Sequence, residues 1–377
     1  MSVKVCLATN TLALLEAGGH IWFTLNWALG LKALGCHIFW LEEVDGNTSV
    51  QELRSQIKGL KDRLRPFGLA DCVVLTTPNN PSLTREVSDV CLGIDESLES
   101  DLLLNLGNKV DAKTVARFRR SALVDIDPGI LQIWSSESDK PLPRHDVYFS
   151  TGETVGTPAA PFPHCGVSWH YTPTAVYLPA WPLTRAKSTA PYTTVSSWWG
   201  WWEVFQGETF NNEKRTTFLE YLDLPKLTSV KLELALSLWE LRDHEDVRLL
   251  EANSWTVRHA FDIGSTPEQY RDYLGQSRGE FSCAKPSCMR LQNAWVSDRS
   301  LCYMAMGKPA VVQYTGPSRF LPDADGLFRF RSREGAAQAL AEAEADYERH
   351  SRQARALVEE YFDAEKVVRR VLERALA

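Results

Sequence analysis

Short apolar runs recur along this chain, and most alternate with a stretch of helical periodicity. VKVCLAT, CHIFWLEEV, DCVVLTT, DLLLNLG and SALVDID fall in the first half, and YTTVSS, VKLELALS, GEFSCA, PAVVQYTG and GLFRFRS in the second. Strands that are apolar on both faces and separated by helices form parallel sheets with crossover helices. Between the halves, residues 152–190 break the rhythm with GETVGTPAAPFPHCG and YTPTAVYLPAWPLTR, rich in Pro, Gly and Thr, and read as a linker. At 377 residues the chain exceeds one ordinary core. The predicted fold class is therefore α/β, with two similar halves whose parallel sheets face each other across a cleft. From Arg333 onward the pattern is helical, with breaks near Tyr347 and Phe362. Open parallel sheets bind ligands outside the carboxyl ends of their strands, which places the predicted site in that cleft.

Composition narrows the function. The net charge of −7 gives no global attraction to nucleic acid or to an anionic membrane. MSVKVCLATN reads as a first strand rather than a signal peptide. No run approaches the ~18 consecutive apolar residues of a membrane span. The eight cysteines are scattered, several of them inside strand-like runs, and they form no Cys-x-x-Cys pair. A cytoplasmic protein with reduced thiols and no metal requirement is expected.

Three segments carry candidate chemistry. In LLEAGGHIWF, Gly18 and Gly19 follow a strand and open a helix, where backbone N–H groups face an anion. The segment is neither a Walker A loop nor Gly-x-Gly-x-x-Gly. His20, at that helix start, is a candidate general base; its alternative is a structural histidine. In VDIDPGILQIW, Asp125 and Asp127 sit at a strand's carboxyl end. Asp127 is the second candidate base, its alternative being a cap on the following helix. In GEFSCAKPSC and AWVSDRSLCYMAMGKPAVVQYTG, Lys285 follows a strand and Ser297 is placed to cap a helix whose first turn holds Asp298, Arg299 and Ser300. A helix start with Arg299 suits a diphosphate, and Thr315 and Gly316 close the next strand.

The passage MAMGKPAVVQYTG resembles the donor-domain signature of GT-B glycosyltransferases, and AGGH with LNWALGLKALGCHIFWLEE is similar to the first β-loop-α-β of that class. EFSCAK, SDRSLCYMAMGKPAVVQYTG, LPDADGLFRF and DYERHSRQARALVEEYFDAEKVVRRVL resemble a bacterial group described as glycosyltransferases. The resemblance spans nearly the whole chain. It implies two Rossmann-like domains facing across a cleft: an acceptor-side domain with linker over 1–182 and a nucleotide-sugar donor domain over 183–350, with a final helix over 351–377 crossing back to the first domain. Donor contacts are then expected from Gly19, Lys285, Asp298, Arg299, Ser300, Thr315 and Gly316. One departure is plain: many retaining members carry two glutamates at positions where this chain has Ala294 and Cys302. The carboxylate contact to the donor ribose does not carry over, and an inverting mechanism would need a base such as Asp127 or His20.

Four of the 13 tryptophans crowd into WWGWW: Trp198, Trp199, Trp201 and Trp202. Following the first strand of the second half, they are expected to offer aromatic faces to an acceptor; the alternative is packing. The sequence reads as an enzyme moving a sugar from a nucleoside-diphosphate donor to a small-molecule or polymeric acceptor, with no cofactor. A nucleic-acid acceptor fits the class but gains nothing from the net charge. The alternatives are a nucleotide-sugar epimerase or hydrolase, or a non-catalytic carbohydrate- or nucleic-acid-binding protein.

Overall fold

The computed structural model describes residues 2–78, 84–137, 142–238, 244–323 and 325–377. They form two compact units. Unit 1 holds residues 1–157, 162–177 and 364–377, and unit 2 holds 158–161 and 178–363.

Unit 1 is built on an all-parallel eight-stranded sheet in the order β4-β3-β2-β1-β5-β6-β7-β8. Its strands are β1 Lys4–Thr9, β2 His37–Glu43, β3 Val73–Thr76, β4 Leu92–Gly93, β5 Leu102–Leu106, β6 Ser121–Asp125, β7 Val147–Ser150 and β8 Trp169–Tyr171. The central strands are buried along nearly their whole length, which is why they read as unbroken apolar runs. The helix Gly18–Ala33 ends at Gly35, whose φ of +79° is the left-handed stop expected from the sequence. Strands β7 and β8 are additions that the Pro- and Gly-rich stretch concealed. Part of the predicted linker is therefore sheet.

Unit 2 carries a parallel six-stranded sheet in the order β13-β12-β9-β14-β15-β16. The strands are β9 Tyr192–Ser197, β12 Leu232–Ser237, β13 Thr256–His259, β14 Gly279–Ser282, β15 Ala310–Gln313 and β16 Leu327–Phe330. A separate antiparallel hairpin, β10 Trp202–Phe205 and β11 Glu208–Asn211, leaves the sheet after β9. Its turn residues, Gln206 and Gly207, both take positive φ, 53° and 78°, the geometry that matches the twist of a two-residue hairpin. The core of this unit joins Tyr192, Trp198, Phe218, Trp255, Phe281 and Phe330, with Phe281 and Phe330 stacked at 5.4 Å.

The tail breaks where expected. Helices Arg333–Ala345 and Tyr347–Leu357 precede a π-turn at Val358–Phe362, and the helix Ala364–Leu376 follows. The chain stays with unit 2 to Asp363, so the segment that joins unit 1 is shorter than 351–377. Ala364 N donates to Val176 O at 2.9 Å. Gly30 admits the last helix: a Cβ there would lie 2.8 Å from Ala364 Cβ.

Candidate functional sites at the two switch points

In each sheet the strand order reverses once. In unit 1 the reversal lies between β1 and β5, and in unit 2 between β9 and β14. Crossover helices diverge at such a point and leave a crevice at the carboxyl ends of the two strands.

At the unit 2 switch, three chain segments converge. Trp198–Trp202 leaves the end of β9, and the hairpin brings the chain straight back, with Asn212 N donating to Trp201 O at 3.0 Å and Arg215 N to Trp198 O at 3.2 Å. Gly200 permits this approach, since a Cβ there would lie 3.1 Å from Asn212 O. The Asn212 carboxamide oxygen then accepts from Ser287 N at 2.9 Å, tying in the segment after β14. Lys214 is the first residue of the helix beginning there, Lys214–Glu220, and only 7% of it is exposed. Burial drives its pKa down to about 7, and the nearby positive charges of Arg299 and Lys285 push the same way. Sequence reasoning missed Lys214. Its one local signal is a cation opening a helix after Asn-Asn-Glu, and its burial depends on the hairpin.

The predicted donor residues divide. Lys285 sits at the helix start after β14, its Nζ 5.1 Å from the Trp201 ring centroid. Arg299 is not an open clamp. Its Nε donates to Glu280 Oε1 at 2.6 Å, Nη2 to Ser282 Oγ at 2.6 Å, and Nη1 to Val195 O at 3.0 Å. All three nitrogens thus staple the helix Asp298–Ala305 to the two strands that flank the switch. Burial opposes the guanidinium charge, but Glu280 outweighs it and holds the pKa above the ordinary value. Asp298 and Ser300 lie in that helix's first turn; burial raises the Asp298 carboxyl, and Ser300 is fully enclosed. Ser297 takes the extended backbone of an N-cap, but its side chain does not accept from the helix. Thr315 and Gly316 support a loop. Thr315 Oγ1 donates to Trp295 O at 2.6 Å, and a Cβ on Gly316 would lie 2.5 Å from Gln292 O. That loop is strained, with Gln292 and Ala294 both at positive φ, 48° and 58°.

The tryptophans divide too. Trp198 is 0% exposed, packs on Phe218 at 6.1 Å, and donates from Nε1 to Asp246 Oδ2 at 2.9 Å. Its place is the core, which removes it from the acceptor-facing set. Trp199 packs against that core with Arg215 5.3 Å from its ring centroid. Trp201 and Trp202 are 51% and 64% exposed. Val204 shares the outward face of β10 with Trp202 by strand alternation.

At the unit 1 switch, the turn Thr11–Leu14 follows β1 and is anchored by the buried Glu42 carboxylate. It accepts from Thr11 N at 3.0 Å, Leu12 N at 3.2 Å and Trp40 Nε1 at 2.9 Å, and also from the Thr11 hydroxyl. Gly19 and His20 lie in the first turn of the following helix. One His20 ring nitrogen is held by the Asn10 backbone, while Nε2 is buried with no hydrogen-bond partner. Burial, reinforced by Lys109, lowers its pKa, so a neutral imidazole keeps an open lone pair on Nε2. Lys109 follows β5, its N–H bound by Asn105 Oδ1 at 2.7 Å. Its neighbour Asn108 takes a positive φ of 58° and carries a buried, unpartnered Oδ1. Asp127 lies farther along, after β6, exposed to solvent. Its N–H donates to Asp125 Oδ1 at 3.1 Å, and its carbonyl starts the next helix through Ile130 N and Leu131 N. Asp125 is buried and bound by Gln132 and Ser150 at 2.9 and 2.8 Å. Burial raises its pKa to about 6.

No protein-family model matches the sequence, and no curated protein matches it in sequence. Solved structures are similar across the full length. An α-glucosyltransferase, in complex with UDP and a DNA 13-mer containing an HMU base, has 12% identity and a TM-score of 0.58, with 100% of both chains covered. The sucrose-phosphate synthase of Thermosynechococcus elongatus has 10% identity and a TM-score of 0.55 over 99% of this chain and 98% of that one. AviGT4, a glycosyltransferase involved in avilamycin A biosynthesis, has 13% identity and a TM-score of 0.56 over 99% and 98%. The fold is GT-B. Among the described residues, no helix is long and apolar enough to cross a membrane.

Proposed function

We propose that this GT-B protein transfers a hexose from a nucleoside-diphosphate sugar to an acceptor hydroxyl. The observation that carries the reading is Lys214: a buried amine with a pKa of about 7, beside Lys285 at the unit 2 switch. Burial holds its pKa low and Arg299 and Lys285 bring two further positive charges, although the Glu280 carboxylate acts on Lys214 in the opposite direction. A bound diphosphate supplies further counter-charge.

In the proposed reaction the acceptor oxygen attacks the anomeric carbon while the bond to the β-phosphate oxygen breaks. The departing diphosphate takes the electron pair and is stabilised by Lys214 and Lys285, with Arg299 contributing charge through its fixed position. His20 Nε2 takes the acceptor proton. Displacement by an acceptor deprotonated in this way inverts the anomeric centre. Trp201 and Trp202 offer their faces to the acceptor or the donor base.

The test is a binding panel of UDP, TDP, GDP, ADP and CDP on the full chain, read by calorimetry and thermal shift. UDP comes first, because it is present in the α-glucosyltransferase structure. One nucleotide is expected to bind, and Lys214→Met to weaken it at least ~100-fold, as expected when a charge-assisted phosphate contact is lost. If a folded sample binds none of the five, the reading fails. Once the donor is known, the anomeric configuration of the product tests inversion.

A further inference from the structure

A second concave site lies in unit 2 at the other ends of the strands. A cavity of about 370 Å³ opens between the start of β9, the start of β12 and the helix Pro267–Gln276. Thr193 and Glu233 are register partners and form its floor. Gln269, Tyr273 and Gln276 reach it from one face of the helix, spaced as helical neighbours. Trp198 and Lys285 follow the opposite ends of β9 and β14, so this cavity is distinct from the candidate donor site.

Its polar groups are preorganised. Glu233 is nearly buried, yet both of its oxygens are engaged: Oε1 accepts from Tyr273 OH at 2.8 Å, and Oε2 pairs with Arg258 Nε at 3.1 Å. Gln269 Oε1 accepts from Ser265 Oγ at 2.7 Å, which turns its amide hydrogens to other use. Thr193 Oγ1 is fixed by Ser277 Oγ at 2.7 Å and by Tyr303 OH at 2.6 Å.

The charge of the walls selects the ligand. Glu233 and Asp272 face a single guanidinium, Arg258, leaving a negative excess that disfavours phosphate. Carboxylates, carboxamides and phenol together supply both donors and acceptors, which is what a hydroxyl needs, since each hydroxyl gives one hydrogen and accepts others. Ile263, Pro191 and the Tyr273 ring add apolar surface for C–H faces. The volume is in the range of small-molecule sites, roughly 300–1,000 Å³. We propose that this cavity binds a small, neutral, polyhydroxylated molecule of mono- or disaccharide size.

The probes are glucose and sucrose, with glucose 1-phosphate as the charged comparator, added to the full chain and read by ligand-observed NMR and calorimetry. Gln276→Trp fills the cavity from its exposed rim, and Gln269→Ala removes one donor without adding bulk. At least one neutral sugar is expected to bind, with affinity at least ~10-fold weaker in Gln276→Trp because the concave surface is gone. Circular dichroism and an unchanged melting temperature certify the variant's fold. If Gln276→Trp does not fold, Gln269→Ala takes its place, with weakened sugar binding expected. Absence of binding by both sugars overturns the proposal. So does undiminished binding in the folded variant, or tighter cavity-dependent binding of glucose 1-phosphate than of glucose.

Discussion

If Lys214 neutralises a diphosphate, nucleotide binding must take up a proton. In the free protein its pKa is about 7. A bound diphosphate, fully ionised above pH 7, restores the charged form and lifts that pKa. Above pH 7 the free protein holds a neutral amine and the complex an ammonium. Each pH unit then costs a factor of ten in affinity, about 1.36 kcal/mol. From pH 7, where the amine is already half neutral, to pH 9 the Kd for UDP, or for whichever nucleotide binds, is expected to rise about 50-fold, about 2.3 kcal/mol. Calorimetry at pH 8.5 in buffers of different ionisation enthalpy should show uptake of close to one proton. Lys214→Met should bind weakly, with a flat profile and no uptake. The free protein gives an independent check. The folded pKa lies below the ordinary lysine value of 10.5. Between these two values the unfolded chain holds a proton that the folded chain lacks. The lysine's cost to stability therefore appears as pH falls from 10.5 to 7 and is fully present below 7. At pH 6 Lys214→Met should raise stability by on the order of 4 kcal/mol while weakening binding. A Kd that is flat from pH 6 to 9 with no proton uptake, in wild-type protein that binds nucleotide, refutes the reasoning.

Other expectations concern the residues around these sites. Arg299→Ala should lower stability by about 3–5 kcal/mol, because it strands the buried Glu280 carboxylate; a melting curve like that of wild type would deny Arg299 its stapling role. His20→Asn should reduce kcat by about 10²–10⁴ with little change in KM. In the wild type the acid limb of the rate should fall below pH 6.5, the ordinary histidine value, since burial lowers the His20 pKa; Asp127→Asn should leave kcat nearly unchanged, and the reverse pattern would make Asp127 the base. If Lys214 and Lys285 supply the counter-charge, turnover should persist in excess EDTA, and loss of activity restored by a divalent cation would show that a metal shares the task.

The parallel sheets were legible because strands buried on both faces leave unbroken apolar runs, and Gly35 and Thr266 marked helix ends by local rules. Thr266 Oγ1 does accept from Gln269 N at 3.2 Å. Residues whose roles depend on distant partners were not legible in this way. Arg299 looked like an anion clamp because it opens a helix, yet its guanidinium is claimed by Glu280 and Val195 on other strands. In WWGWW alternation along an extended chain leaves at most two of the four rings for a ligand, and the tight turn at Gly200 decides which: Trp198 goes into the core and Trp201 and Trp202 outward. Strands β7 and β8 were hidden by Pro and Gly in their flanking loops. Lys214 looked like any surface lysine until the hairpin folded it in.

That hairpin is pinned at its base, while its turn, Gln206 and Gly207, and the outward face of β10 stand exposed. The bond from Asn212 N to Trp201 O fastens the point where the chain leaves and returns, and Lys214 lies just inside that fastening. Beyond it Glu203 and Phe205 are buried and Glu208 pairs with Arg290, so the positions open to exchange are the exposed ones: Trp202, Val204 and the turn Gln206 and Gly207. The architecture separates two kinds of change. The buried amine is tied to the end of the sheet, whereas the outward face of β10 and the turn carry side chains that hold no part of the core. If the donor sits at the buried lysine and the acceptor on the exposed rings, descendants of such a chain could trade one acceptor for another by rewriting those few exposed residues.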